Sequence, residues 1–509
     1  MSKENNISLM LVMPPQAGLL KGFSTGLISI ANFVKESMPY VKVKIVDLSQ
    51  TPWKGLRKKI ETFIDRKPGK VFVGITTTTA SYQSALETAR VFKQALPDCV
   101  TIMGGHHVSA DFETVLRYHP LEVDFIIVGE GEISTVELLK NFPEIDSVPG
   151  LAYMRGDKII HNCPPPLLER RILDTLPMTF QGNGLHSSPG KFGHVTYVSA
   201  RGCPLHCSFC SVANQAMRTR SADKVKEDIR TLVKIGFTKI AIEDNFFVHS
   251  FTRTTELCEK LKELRKEIGD VFSWDCQTRV ESMMRNNIVP LMESAGCEAV
   301  YIGVESLNED TLLFLGKTNR PKRYLTQLLD TVIPRILDSK IECYLNLQFG
   351  LPYQNSDDDE ETYKLLSKIG DLASAKNKKI TIFPQLFVVY PETKHFKDGI
   401  EQGIFSPDVF ESFTEWEMKE EPIRKWLGEY FAHGVGGLPI GILDLKKLPR
   451  GEYSVIPDTV IGISATIRRI ENIPGIQVFH YGRFLTRENI ESPKHNPIRM
   501  RIKQPMETR

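Results

Sequence analysis

Ser199-Ala200-Arg201-Gly202-Cys203-Pro204-Leu205-His206-Cys207-Ser208-Phe209-Cys210 carries three cysteines in the spacing C-x3-C-x2-C. The stretch follows directly on a β-prone run at residues 194–199. Thiolates this close along a chain can bend round one metal centre. Three of them fill three corners of a four-iron cluster and leave the fourth iron open, which a reactive cluster requires. A structural zinc held by Cys203, Cys207, Cys210 and His206 is the rival reading. Cys99, Cys163, Cys258, Cys276, Cys297 and Cys343 are scattered along the chain and read as ordinary core or surface residues.

Downstream of the cysteines, β-rich runs at 239–242, 271–276, 299–304, 342–349 and 379–389 alternate with helical patterns. The pattern at 222–235 shows the logic. Ser221 is placed to cap its start, Val225, Ile229, Leu232 and Val233 share one face, and Gly236 can end it. Together with the run at 194–199, the alternation predicts a six-stranded parallel sheet curved into a partial (β/α)6 TIM barrel. Upstream, runs at 7–12, 41–46, 71–75, 100–103 and 123–128 are separated by helical spacings, and the buried ones are nearly all apolar. That signature predicts a doubly wound, Rossmann-like parallel sheet. Ligands of such sheets bind beyond the carboxyl ends of the strands, which singles out loops 14–25, 47–53, 76–82, 104–111 and 129–134.

The resulting α/β organisation is a doubly wound domain at 1–145, a Pro- and Gly-containing linker at 146–193, a partial barrel at 194–400 and a C-terminal α+β block at 401–509. The 509 residues include 64 Lys+Arg against 62 Asp+Glu, a formal net charge of +2, so no basic field argues for a nucleic-acid partner. Nine cysteines are too few for a disulfide scaffold. No run approaches the roughly 18 apolar residues of a transmembrane helix, and the N-terminal apolar run is too short for a signal segment. The expectation is a cytoplasmic protein with no transmembrane segment.

The cysteine motif, with an aromatic just before its last cysteine and a β/α partial barrel behind it, resembles the radical S-adenosylmethionine (SAM) superfamily. The doubly wound domain in front resembles that superfamily's cobalamin (B12)-dependent branch. The resemblance implies a [4Fe-4S] cluster on Cys203, Cys207 and Cys210, shielded by Phe209, with SAM chelating the open iron. It also implies SAM contacts from Glu243 or Asp244 after the second barrel strand, from Gln277 after the third, and from Glu305 and Ser306 after the fourth. Gly104, Gly105 and His106, then Gly129, Glu130 and Gly131, resemble the branch's cobalamin loops, where glycines let backbone approach a flat ring. Ser49, Thr76, Thr77 and Ser81 would supply hydroxyls. Cobalamin domains with a cobalt-ligating histidine use Asp-x-His-x-x-Gly; here Ser49 stands in the histidine's place, so that loop offers no cobalt ligand. His106 and His107 read better as loop histidines near the corrin edge or solvent.

What the resemblance implies about activity is cleavage of SAM to a 5′-deoxyadenosyl radical, driven by a reductant such as flavodoxin or ferredoxin. The leading expectation is methylation of an unactivated carbon through methylcobalamin, on a small-molecule, lipid or natural-product substrate. A non-methylating rearrangement or cyclisation with the same cofactors is the alternative. Trp416, Trp426, Tyr430, Phe431, the run 433–437, Tyr481 and Arg483 are candidates for shaping the pocket, with core packing the plainer role.

Overall fold

The computed structural model describes residues 7–15, 24–65, 69–179, 194–352, 356–404, 406–411, 443–444, 454–455 and 457–479. The chain divides into two compact units. The first comprises residues 1–187 with 390–392 and 405–414, and the second holds the rest.

In the first unit, β1 (Ile7–Met13), β2 (Lys42–Asp47), β3 (Lys70–Thr76), β4 (Val100–Gly104) and β5 (Phe125–Ile127) form the parallel part of one sheet. Two antiparallel strands, β6 (Leu151–Arg155) and β7 (Lys158–His161), complete it in the order β2-β1-β3-β4-β5-β6-β7. The reversal at β1 is the mark of a doubly wound sheet. Alternation along β1 shows why both faces are covered. Leu9, Leu11 and Met13 pack with helices Thr25–Ser37 and Gly131–Asn141, while Met10 and Val12 pack with Leu56–Glu61 and Tyr82–Ala95 on the other face. The hairpin β6–β7 lies within the stretch expected to be a linker, and its Leu151, Ala152 and Tyr153 are buried in the two cores. Residues 406–411 also belong to this unit. Asp408 accepts from Tyr118 Oη at 2.6 Å, and Glu411 accepts from Tyr82 Oη and pairs with His119 Nε2 at 2.7 Å.

In the second unit, β8 (His194–Tyr197) is followed by a short antiparallel pair, β9 (Ala200–Arg201) and β10 (Arg218–Thr219). Then come β11 (Lys239–Ile242), β12 (Ser273–Thr278), β13 (Cys297–Glu305), β14 (Glu342–Phe349) and β15 (Ile380–Leu386). Two residues each from β16 (Leu443–Asp444) and β17 (Ser454–Val455) pair antiparallel, and β18 (Ile476–Val478) ends the series. The main sheet runs β8-β11-β12-β13-β14-β15-β18, parallel throughout. Each strand joins beside its predecessor, as in a barrel wound one way and left open. The six expected strands are there, and β18, drawn from the C-terminal block, adds a seventh beside β15. Helix Ala222–Ile235 has the predicted caps: Ser221 Oγ accepts from Lys224 N, and Gly236 sits at φ +109°. Among the described residues no helix is long and apolar enough to cross a membrane.

Candidate functional site

The loop 202–217 begins at a backbone turn that only glycine accommodates. Gly202 has φ +84°, and a Cβ there would lie 2.2 Å from the Ala216 carbonyl oxygen. The loop closes on itself through Gln215 N to Cys203 O at 2.8 Å, Asn214 N to Leu205 O at 2.8 Å and Cys210 N to Cys207 O at 3.2 Å. Its middle is pinned from outside. Ser208 N donates to Leu315 O at 3.0 Å, and Ser208 Oγ hydrogen-bonds the Phe314 carbonyl and His395 Nε2, the latter at 2.9 Å. His395 is itself buried and stacked on Phe314. Cys203 is buried, and Cys207, Phe209 and Cys210 are half-buried.

Asp244 anchors the approach to this loop. Its carboxylate accepts from Ser199 N at 2.6 Å, Ala200 N at 2.8 Å and Ser199 Oγ, and Arg253 braces Ser199 Oγ at 2.6 Å. Burial pushes the Asp244 carboxyl up, against the pull of Arg253 and those hydrogen bonds. The structure thus engages both Asp244 oxygens with the chain itself, whereas Glu243 stands exposed beside it with Thr196 Oγ1 at 3.4 Å.

A network of charged side chains runs across the carboxyl ends of β12, β13 and β14. Arg279 Nη1 donates to Cys207 Sγ at 3.3 Å, and its other terminal nitrogen donates to the Lys317 carbonyl and pairs with Glu281 at 3.2 Å. Lys317 Nζ meets Glu305 Oε1 at 3.0 Å, with both side chains less than a tenth exposed. Gln348 Nε2 donates to Glu305 Oε2 at 2.9 Å. Glu305 sits at φ +72°, at the point where the register of β13 on β14 shifts. A non-glycine residue held there stores strain of the kind concentrated at functional sites. Ser306 Oγ accepts from Asn308 N at 3.0 Å, and Gln277 is exposed at the end of β12. Arg279, Lys317 and Gln348 emerge as members of the site. Arg279 and Lys317 flank the motifs in the sequence, but only the folded sheet joins them to a cysteine and to Glu305.

Two observations test whether these residues suit an iron–sulfur cluster and SAM. Burial pushes the Cys203 and Cys210 thiols up, neighbouring cysteine sulfurs push them further, and Arg279 and Lys317 draw Cys203 back down. Yet no three His, Cys, Asp or Glu side chains among the described residues converge on one ion, and the His206 side chain is exposed. A four-iron cluster, unlike a single zinc, takes each thiolate on a different iron, so three thiolates of one loop suit it. Among the described residues, the buried Gln348 Oε1, beside Glu305, and Thr278 Oγ1, at the end of β12, have no protein partner, so polar atoms remain for a ligand.

The strand ends of the first unit are built differently. Gly105, at φ +110°, packs so closely on Thr77 that a Cβ would lie 2.3 Å from the Thr77 carbonyl oxygen. Thr77 is fully buried and its Oγ1 has no protein partner, and Thr76 is half-buried beside it. Ser81 is consumed in a capping box with Thr78, and Ser49 N turns back onto Asp47 Oδ1 at 2.9 Å. Gly129 is exposed at φ +94°, while Gly104, Glu130 and Gly131 are half-buried. His106 is exposed. His107, expected near the corrin edge or solvent, is 1 % exposed, between the rings of Tyr82 and Phe410. Burial pushes His107 down to about 3, so it stays neutral, and it pushes Asp111 up to about 7 against its hydrogen bond to Thr114. Candidates at 416, 426, 430, 431, 433–437, 481 and 483 lie outside the described residues.

Comparison with known proteins bears on both units. Residues 20–139 match the B12 binding domain family, and residues 197–366 match the Radical SAM superfamily. A Pyrococcus horikoshii protein described as an uncharacterized methyltransferase is 28% identical over 403 residues, covering 74% of this chain and 81% of that protein. The anaerobic magnesium-protoporphyrin IX monomethyl ester cyclase of Rubrivivax gelatinosus is 29% identical over 343 residues, 64% of this chain and 58% of that one. The solved structure of the radical SAM methyltransferase TsrM from Kitasatospora setae, with cobalamin and [4Fe-4S] cluster bound, superposes with a TM-score of 0.63 at 16% identity, covering 78% of this chain and 75% of that one; this likeness shows the fold. With a B12 binding domain and a radical SAM domain in one chain, and the [4Fe-4S] cluster, SAM and cobalamin that these imply, the protein belongs to the cobalamin-dependent radical SAM enzymes.

Proposed function

We propose that the protein is a C-methyltransferase acting on an unactivated carbon of a small-molecule, lipid or natural-product substrate. The observation that carries this reading is the relative described as a methyltransferase, which this chain matches across 81% of its length. The cyclase, matched over 58% of its length, supports the second reading, a ring-forming reaction with the same cofactors.

When bound, the cluster and SAM supply a hydrogen-abstracting radical, and cobalamin supplies the methyl group. The chain's own residues hold and orient. Cys203, Cys207 and Cys210 would each bind one iron, with Phe209 against the cluster. Glu305, fixed by Lys317 and Gln348, presents an immobile carboxylate suited to ribose hydroxyls, and Ser306, Gln277 and Glu243 add polar contacts. Asp244 positions the start of the cysteine loop rather than reaching outward. In the first unit, Thr76, Thr77, Gly104, Gly105, His106, Gly129, Glu130 and Gly131 would present backbone and hydroxyls to cobalamin, with Ser49 and Ser81 shaping the turns. A reductant such as flavodoxin or ferredoxin would deliver the electron.

The test is anaerobic reconstitution with iron, sulfide and hydroxocobalamin, followed by product analysis with candidate substrates. Methylated product accompanied by both S-adenosylhomocysteine and 5′-deoxyadenosine is expected. Product with 5′-deoxyadenosine but no S-adenosylhomocysteine would establish the second reading instead.

A further inference from the structure

We infer that Arg279 is a positioning residue that raises the reduction potential of the cluster by donating a charged hydrogen bond to the Cys207 sulfur. The inference rests on the proposal that Cys207 is a cluster ligand. Its basis is geometric. Arg279 directly follows β12, and its side chain is about nine-tenths buried. One terminal nitrogen reaches Cys207 Sγ at 3.3 Å. The other is tied to the Lys317 carbonyl and to Glu281, so the fork is held from two further sides and cannot swing away.

The consequence follows from charge. Adding an electron makes the cluster more negative, and a fixed cation with an N–H aimed at one of its thiolates stabilises that reduced form. Hydrogen bonds to sulfur and local net charge are among the factors that set cluster potentials. Arg279 therefore makes the reductive step easier. The same guanidinium grips the residue whose ammonium pairs with Glu305, so one rigid chain, Cys207–Arg279–Lys317–Glu305, joins a cluster thiolate to the carboxylate proposed to meet SAM. The backbone N–H groups of Leu205 and Val212 bond the Cys203 and Cys210 sulfurs but are neutral, while among the nearby side-chain donors Ser208 Oγ is committed to Phe314 and His395 and the Lys317 ammonium to Glu305.

The experiment is an EPR-monitored redox titration of the reconstituted full chain, with iron and sulfide counted in each sample. Arg279→Gln is expected to keep its iron and to lower the reduced-to-oxidised ratio at a given potential about tenfold, a downward shift of about 59 mV for one electron. Arg279→Lys, which keeps the charge but loses the fork, should shift in the same direction by a smaller amount, and it decides the matter if the glutamine variant fails to fold. An unchanged midpoint in an iron-replete Arg279 variant would overturn the inference. Full iron retention by Cys207→Ala would instead overturn the ligand assignment beneath it.

Discussion

The two units place their candidate sites at the same address, the carboxyl ends of parallel strands, but build them from different materials. In the first unit, side chains turn inward. Ser81 caps a helix, Glu132 accepts from Ser29, and His107 is enclosed by aromatic rings. What remains accessible includes the His106 side chain and the backbone at Gly105 and Gly129. In the second unit, side chains with charge or metal affinity face one another in a continuous chain from Cys207 to Gln348. A large, flat cofactor can be held by shape over a broad surface, so no single side chain decides its binding. A cluster and a small zwitterion are held by a few bonds and charges, and each of these matters. The contrast predicts abrupt losses in the second unit and graded ones in the first.

The sharpest break should come from Cys207→Ala. Formation of 5′-deoxyadenosine by the reconstituted enzyme is expected to be abolished while corrin uptake by the first unit persists. Next in size is Lys317→Met. It leaves the Glu305 carboxylate buried with only Gln348 as partner, a loss that costs about 3–5 kcal/mol when a buried pair is broken. Denaturant unfolding measures it, and Glu305→Gln on the same background should recover part of the stability.

Gly105→Ala is expected to cost about 2 kcal/mol through its left-handed backbone and the contact with Thr77. Cobalamin retention on gel filtration should weaken without being abolished. The smallest effect is a pH slope. Burial holds Asp111 protonated up to about pH 7, well above an unfolded aspartate. Between those values the folded chain binds the extra proton, so its contribution to stability falls as pH rises from about 4 through 7 and is flat above. Asp111→Asn should remove that slope and stabilise the protein at pH 8 by roughly 1 kcal/mol after allowance for its partial exposure. His107, pushed down to about 3, contributes a slope of the opposite sign between about pH 3 and 6.5, because there the unfolded chain binds the extra proton. Calorimetry across this pH range, on wild type and on Asp111→Asn, reads the aspartate slope.

The legible part of this molecule was the part written in local spacing. Strand positions followed from short apolar runs, and the loop of three cysteines from an eight-residue window. Contacts between distant residues stayed hidden. Lys317 and Gln348 lie 12 and 43 residues from Glu305, and nothing in their own neighbourhoods marks them as its partners. The bond between Tyr82 and Glu411 spans 329 residues. Likewise β18 reads as an unremarkable Ile-Gln-Val triplet until it pairs with β15, and the hairpin β6–β7 lies within a stretch whose prolines and glycines suggested a linker. The positioning contacts of Asp244 stayed hidden for a related reason. An acidic residue at a strand end looks ligand-facing, and only the fold reveals two backbone N–H groups waiting for it.

Three thiolates of one loop should hold a four-iron cluster in a chain that also holds a corrin. Metal counts on anaerobically reconstituted protein decide this. About four irons and one cobalt per chain are expected in the wild type, with the iron lost and the cobalt kept when Cys203, Cys207 and Cys210 are replaced together by alanine. Uptake of a single zinc in place of iron, or iron unaffected by the triple replacement, would contradict it.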